Sequence, residues 1–284
     1  MKNMKTKEIF ALAIQNHQKN NLKAAENLYN KILEIDSNNI ETIFLLGSLS
    51  AQTKNFDKAK QLLRKAVAIK PNHIDALNNL GNVLKELGER QEAINCYQKI
   101  IEINPNYVNA HYNQGTVFKE LEEYQKAINC YQKTIQIEPG HADAYNNLGV
   151  MLTNLNEHQK AINCYQKAIQ INSNHIDAYN NLGLIFEDLR EHQKAIYCYQ
   201  KAIEINPNYV NSYNNLGIIL VQLNQVNKAK KYFEKSLKLN PSRKKTCEGY
   251  GNLLLKLNQH KQALLYIRKG TGFIRFTQKD FKII

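Results

Sequence analysis

The sequence predicts an all-α solenoid of about eight helix–turn–helix units, and three observations predict it. A glycine recurs every 34 residues without slippage, at Gly47, Gly81, Gly115, Gly149, Gly183, Gly217 and Gly251. An alanine keeps the same period at Ala25, Ala59, Ala93, Ala127, Ala161, Ala195, Ala229 and Ala263. Whole segments also repeat: Asp143-Ala-Tyr-Asn-Asn-Leu-Gly149 returns as Asp177-Ala-Tyr-Asn-Asn-Leu-Gly183 and is foreshadowed by Asp75-Ala-Leu-Asn-Asn-Leu-Gly81. A fixed period in this range marks stacked units, each of which buries its apolar face on its neighbours.

With the glycine at position eight and the alanine at position twenty, eight units fit: 6–39, 40–73, 74–107, 108–141, 142–175, 176–209, 210–243 and 244–277. Residues 1–5 form a lead and 278–284 a tail. The first unit has Ala13 in place of the glycine and the last departs most, with Cys247, Tyr250, Ile267 and Gly270 at positions four, seven, twenty-four and twenty-seven.

Within a unit, Ala142, Tyr145, Leu148, Gly149 and Leu152 follow the i, i+3, i+4 spacing of one helix face. Ala161, Ile162, Cys164, Tyr165, Ala168, Ile169 and Ile171 draw a wider stripe on a second helix. That width predicts that the second helix is the inner one. Asn20, Gly88, Asn156, Asn224 and Asn258 stand at the break between helices, where a left-handed residue is needed. Pro71, Pro105, Pro139, Pro207 and Pro241 stop the second helix, with Ser37 and Ser173 in two other units. Glycine at eight and alanine at twenty lie where the helices of a hairpin cross, and Tyr97, Tyr131, Tyr165, Tyr199 or Phe233 fills the gap beside them. After Lys269, Gly270-Thr-Gly272 is expected to break the helix, with strand-like segments at 273–276 and 281–284. Two readings stand for this end: a tail folded back as an improvised cap, or the front part of a longer chain.

Charge and cysteine usage bound the function. The net charge is +13, but residues 226–284 hold 15 Lys/Arg against 3 Asp/Glu, while 1–225 are almost balanced. The basic end favours an acidic partner or serves as a solubilised cap. Its aromatics fall mainly at core positions, which argues against nucleic acid. Cys96, Cys130, Cys164 and Cys198 keep the repeat period, so their spacing of roughly 10 Å exceeds the ~7 Å reach of a disulfide. They read as small buried hydrophobes in a cytoplasmic protein. No signal peptide and no run of ~18 apolar residues is present.

Leu-Gly at seven and eight, alanine at twenty, an aromatic at twenty-four, frequent alanine at twenty-seven (Ala66, Ala168, Ala202) and proline at thirty-two resemble the tetratricopeptide repeat across 6–277. Tyrosine at position four (Tyr145, Tyr179, Tyr213) replaces that family's frequent tryptophan. The resemblance implies a right-handed α-solenoid whose first helices line a concave groove, with positions two, five, six, nine, twelve and thirteen facing it.

Position six then supplies a ladder of Asn79, Asn113, Asn147, Asn181 and Asn215, and position five adds Asn78, Asn146, Asn180 and Asn214. A carboxamide offers both donors and acceptors to an unpaired peptide backbone. The ladder is similar to that in the repeat region of O-linked N-acetylglucosamine transferase. That resemblance implies that Asn79, Asn113, Asn147, Asn181 and Asn215 grip backbone amides, and Asn146 and Asn180 are further candidates for peptide contact from their position on the same helices. The resemblance also makes Asp75, Asp143 and Asp177 candidates for substrate side chains. The competing reading is that one asparagine of each pair bonds only the neighbouring helix. The expected function is a scaffold binding an extended peptide or partner segment; the alternative is the recognition arm of an enzyme whose catalytic domain is elsewhere.

No catalytic residue, metal site or cofactor is expected. His73-Ile-Asp75, His141-Ala-Asp143 and His175-Ile-Asp177 match the start of an iron-binding triad, but all fall at the same repeat joint. An aspartate in a helix's first turn is stabilised by the macrodipole, so these read as structural. A carboxylate clamp, which needs cations along three successive first helices, fits poorly.

Overall fold

A computed structural model of the chain describes residues 2–272, 275–276 and 281–282. It forms two compact units, Met1–Pro139 and Gly140–Ile284. The first contains α1 (Lys2–Gln18), α2 (Leu22–Ile35), α3 (Ile40–Gln52), α4 (Phe56–Ile69), α5 (Ile74–Glu86), α6 (Arg90–Ile103), α7 (Val108–Glu120) and α8 (Tyr124–Ile137). The second contains α9 (Ala142–Asn154), α10 (His158–Ile171), α11 (Ile176–Asp188), α12 (His192–Ile205), α13 (Val210–Gln222), α14 (Val226–Leu239), α15 (Lys244–Lys256) and α16 (His260–Thr271). A short antiparallel ribbon follows, β1 (Arg275–Phe276) on β2 (Phe281–Lys282), pairing Arg275 with Lys282 and Phe276 with Phe281.

Each hairpin turn uses one device. The residue at position fifteen is left-handed in all eight units: Asn20, Lys54, Gly88, Glu122, Asn156, Arg190, Asn224 and Asn258. The next amide then reaches back to a carbonyl five residues earlier, as in Glu89 N–H to Leu84 O at 2.8 Å and Glu191 N–H to Phe186 O at 2.7 Å. This closure satisfies carbonyls that the ending helix leaves open. The sequence pattern of Gly and Asn identified five of these turns. Lys54, Glu122 and Arg190 adopt the same φ near 60° without the residue type that favours it.

The joints between hairpins are built differently. In three of the five proline-containing joints Asn104, Asn206 and Asn240 accept from the backbone two residues on, at 3.1, 2.9 and 3.2 Å, and the proline follows directly. These Asx turns brace the chain where it leaves the helix; α4 and α8 stop at the same place before Pro71 and Pro139 without an asparagine, so the stop itself follows from the proline, which disfavours a helical residue before it. Position four of the next helix then ties the joint down: His111 Nε2 lies 2.9 Å from Pro105 O, and the Tyr213 hydroxyl donates to Pro207 O at 3.1 Å.

The core lies between the hairpin helices and along the stack. The glycines at position eight are required by the side chain opposite. A Cβ on Gly81, Gly149, Gly183 or Gly217 would lie 2.7, 2.7, 2.5 or 2.6 Å from the ring of Tyr97, Tyr165, Tyr199 or Phe233, respectively. Those rings are almost completely buried, so the backbone of the first helix rests directly on the aromatic of the second.

Three expectations need correction. From α3 onward the first helix of a hairpin, not the second, is at least as enclosed: α13 buries seven residues and α14 three, while α7 and α8 bury five each. The reason is position in the stack. Helix α5 packs on α3, α4, α6 and α7, whereas α6 packs on α5 and α7. The wide apolar stripe of the second helix serves two neighbours and leaves its outer side to solvent. Next, Gly270 does not break a helix. It lies inside α16, where its missing Cβ lets the helix approach Lys244 O and Glu248 N, each 2.9 Å from where a Cβ would be. Gly272, left-handed at φ +89°, ends the helix. Finally, Cys96 and Cys164 are half-buried rather than buried, while Cys130, Cys198 and Cys247 are buried.

All five cysteines are free. Burial pushes the thiols of Cys96, Cys130 and Cys164 up to about 11 and that of Cys198 up to about 12. Helix α1 runs back to Lys2, so the expected lead is largely helical. The side chains that an improvised cap would use, beyond residue 272, lie outside the described residues.

Candidate functional site

The faces of the first helices carry every residue of the predicted ladder, and Asn79, Asn113, Asn181 and Asn215 are each oriented by a side chain of the preceding first helix. In the first unit, Asn79 on α5 donates through Nδ2 to Ser48 Oγ on α3 at 2.9 Å. Asn113 on α7 donates to Asn78 Oδ1 at 3.4 Å and to Asn82 Oδ1 at 3.2 Å on α5. The Tyr97 hydroxyl donates to the same Asn82 oxygen at 2.7 Å, so four side chains lock one rung. A cavity of ≈ 270 Å³ opens beside it, lined by Ser48, Ala51, Phe56, Asn79, Asn82, Val83 and Glu86.

In the second unit the same link appears twice. Asn181 Nδ2 donates to Asn146 Oδ1 at 3.1 Å, and Asn215 Nδ2 to Asn180 Oδ1 at 3.2 Å. Ser212 Oγ also donates to Asn180, at 3.3 Å. The two asparagine positions therefore divide. Asn146 and Asn180 are buried, and their oxygens face the next rung. Asn79, Asn113, Asn147, Asn181 and Asn215 are half-buried. Position five is a bracket, and position six is what the bracket holds.

Asp75, Asp143 and Asp177 sit in the first turns of α5, α9 and α11 and are exposed. Two of them meet the following joint. Asp143 Oδ1 is 3.1 Å from His175 Nε2, and Asp177 Oδ1 accepts from the Tyr209 hydroxyl at 2.7 Å. Asn211 Nδ2 donates to the Tyr209 oxygen at 3.2 Å. Burial, then the bond to Asp177, pushes the Tyr209 hydroxyl up to about 12, so it stays a donor at neutral pH. The sequence reading missed these partners. Their signal was the recurrence of His or Tyr 32 residues after the aspartate.

The H-x-D motifs resolve into helix caps. Nδ1 of His73, His141 and His175 accepts from the backbone N–H of Ala76, Ala144 and Ala178 at 3.4, 3.3 and 3.2 Å. That lone pair is used in ending a joint and starting a helix. Among the described residues no group of three or more His, Cys, Asp or Glu side chains is placed to hold a metal ion. No helix among them is long and apolar enough to cross a membrane.

Stacked hairpins with a polar, ordered first-helix face define a class: the α-helical repeat solenoids that serve as protein-interaction scaffolds. Tetratricopeptide repeat models match residues 17–72, 74–107, 108–141, 142–175, 176–209 and 198–231, and the chain belongs to the tetratricopeptide repeat family. A crystal structure of MamA is 30% identical, covers 57% of this chain and 95% of that one, and gives a TM-score of 0.54. A structure described as YrrB, a TPR protein with an unusual peptide-binding site, is 21% identical over 65% of this chain and 95% of that one, with a TM-score of 0.54. The latter likeness shows the fold alone. In all, 545 solved chains match, so the architecture by itself selects no partner. None of the curated proteins compared with the chain matches it.

Proposed function

We propose that the first-helix faces bind an extended peptide or partner segment, with the position-six asparagines as the contacts to its backbone. Asn79, Asn113, Asn147, Asn181 and Asn215 fill this role, and Asp75, Asp143 and Asp177 meet side chains of the bound segment. Asn146 and Asn180 act as supports. The observation that carries this reading is the recurring bond from Nδ2 of one rung to a position-five Oδ1 of the rung before, seen at Asn113, Asn181 and Asn215.

That bond commits one N–H of each carboxamide and fixes which way it points. Prior orientation lowers the side-chain ordering cost of binding, which is about 0.5–1.5 kcal/mol for a free rotamer-rich side chain. Rungs of a helical-pair stack are roughly 10 Å apart, so an extended chain rising ~3.3 Å per residue meets a rung about every third residue.

The test is affinity for peptides selected from a displayed library against the whole chain. Replacing Asn113, Asn147 and Asn181 together by alanine removes three bonds, each worth about 1 kcal/mol net. The expected loss is about a hundredfold in Kd, with helical circular dichroism retained. Asn181→Ala also leaves the buried Asn146 oxygen uncovered, so affinities are compared well below the unfolding temperature. Unchanged affinity removes the asparagine face from consideration.

A further inference from the structure

The second helices repeat one charge arrangement, and α14 departs from it. In the fourth, fifth and sixth units a glutamate at position sixteen pairs with the lysine three residues on: Glu123 with Lys126, Glu157 with Lys160 and Glu191 with Lys194. Two of these lysines also lie over a ring at position eleven of the same unit, Lys126 over Phe118 at 5.3 Å and Lys194 over Phe186 at 5.2 Å. The seventh unit keeps the lysine, Lys228, but has Gln225 for the glutamate and Leu220 for the ring. Both groups that offset this cation elsewhere are gone. Lys228 is exposed and, among the described residues, has no carboxylate at ion-pair distance.

A cavity of ≈ 340 Å³ opens beside Lys228, between α12 and α14. Leu216 and Leu220 of α13, both buried, form its floor. The walls are polar, with Gln193 and Gln200 on α12 and Gln225 and Tyr232 opposite. Tyr232 stands where Cys130, Cys164 and Cys198 do in the preceding units, and it brings a hydroxyl to the wall. Lys228 is the one charged residue of the lining.

The same side of α14 continues the charge. Lys228, Lys231 and Lys235 are spaced i, i+3 and i+7, which is one face of a helix. All three are exposed and without an ion pair among the described residues. The nearby Glu234 is turned to Lys230, at 4.0 Å, and to the Tyr250 hydroxyl, which donates to it at 3.0 Å. On α12 the equivalent positions hold Lys194, Tyr197 and Lys201, and both lysines are paired, with Glu191 and Glu204.

We infer that the outer face of α14 docks a glutamate-rich segment of a partner protein, with one glutamate entering the cavity beside Lys228. This surface is separate from the first-helix faces, so the inference goes beyond the reading above and does not depend on it. A glutamate matches what the cavity offers. Its methylenes rest on the leucine floor. Its carboxylate only accepts, and Lys228, the glutamine carboxamides and the Tyr232 hydroxyl can all donate. Such charge-assisted bonds are roughly twice as strong as neutral ones. A nucleic-acid backbone or an anionic lipid surface would use the lysine row and leave the apolar floor unused.

The probe is a fluorescein-labelled, amidated peptide of alternating glutamate and serine, titrated with the full chain at low ionic strength and read by anisotropy. Saturable binding is expected, and a glutamine–serine peptide should not bind. Gln225→Glu gives Lys228 the partner that three other units already carry, so the fold is preserved while affinity falls about tenfold. Leu220→Phe restores the ring of α7 and α11, leaves the charge unchanged, and should cost about fivefold. Lys231→Gln and Lys235→Gln should each cost about two- to fivefold. Lys160→Gln, on α10, should change nothing. Retained helical circular dichroism accompanies each measurement.

Asn113→Ala/Asn147→Ala/Asn181→Ala should bind this probe normally, whatever it does to library peptides. Loss of probe binding in that variant, with Gln225→Glu unaffected, would place the peptide on the asparagine ladder and overturn the assignment. So would no saturable binding, or binding that neither Gln225→Glu nor Leu220→Phe changes. Tighter binding of a thymidine oligonucleotide or of phosphatidylserine–phosphatidylcholine vesicles, weakened by the lysine variants but not by Leu220→Phe, would give the face to a polyanion instead.

Discussion

Replacing Gly183 by alanine adds a Cβ 2.5 Å from Tyr199 Cε1 and 2.8 Å from Cδ1, well inside ordinary contact of 3.4–4 Å. Tyr199 is fully buried and cannot swing out, and its hydroxyl donates to Glu187 Oε2 at 2.8 Å. The ring or the α11 backbone must therefore give by about an ångström. Overpacking of this kind costs about 1–3 kcal/mol, and the closeness of the approach puts this case at the upper end. Alanine returns about 1 kcal/mol through helix propensity, and a weakened Tyr199–Glu187 bond removes about 1 kcal/mol more. The net expectation is about 2–3 kcal/mol of local destabilisation. Native-state hydrogen exchange is the suitable assay, because repeat arrays open in pieces and a single unfolding midpoint blurs them. Amides of α11 and α12 should exchange about thirtyfold faster or more. Gly140→Ala, whose Cβ meets nothing within 4 Å, is the control and should change little. Slower exchange in Gly183→Ala would mean that propensity outweighs packing, and would refute the steric account of the repeat's defining glycine.

Two further outcomes follow from the turns and the thiols. Arg190 holds φ 60° without the residue type that favours it. Arg190→Gly should therefore raise the stability of the α11–α12 hairpin by about 0.5–1 kcal/mol, while Gly88→Ala, at φ +79°, should lower stability at α5–α6, both read by chemical denaturation and exchange. The cysteine thiols, raised from 9.0 to about 11 at Cys96, Cys130 and Cys164 and about 12 at Cys198, stay protonated in the folded chain. The unfolded chain loses those protons first, so stability should be level below pH 9 and fall as pH rises from there toward the folded values. Replacing all four with alanine should flatten that alkaline slope in pH-dependent denaturation, and an unchanged slope would assign it to the buried tyrosines instead.

Much of the architecture was legible because each repeat carries its own punctuation. Gly81 against Tyr97, the left-handed Asn156 and Asn224, and the prolines after α6 and α12 act within a few residues or across one hairpin. Their spacing in the chain is thus their geometry. The site was only half legible. The pattern placed Asn146 and Asn147 side by side without saying that one is buried and bonded by Asn181. That depends on how the following hairpin is set, not on the pair itself. The histidines show the same limit: their place at the repeat joint marked them as structural, but not that Nδ1 caps the helix that follows.

The sequence by itself determined the helical repeat, its period, the small-residue crossings and the line of asparagines, because all of these are local or recur in register. Only the tertiary structure decided which helix is enclosed, which asparagine supports and which is held out, and where the line fails. Gly249 reads in the sequence as one more glycine in a degenerate last repeat. Set beside α13, it leaves Asn214 with a buried, unpartnered oxygen and opens a cavity over Phe233. A missing side chain has consequences only through its neighbours, and those neighbours come from the preceding repeat.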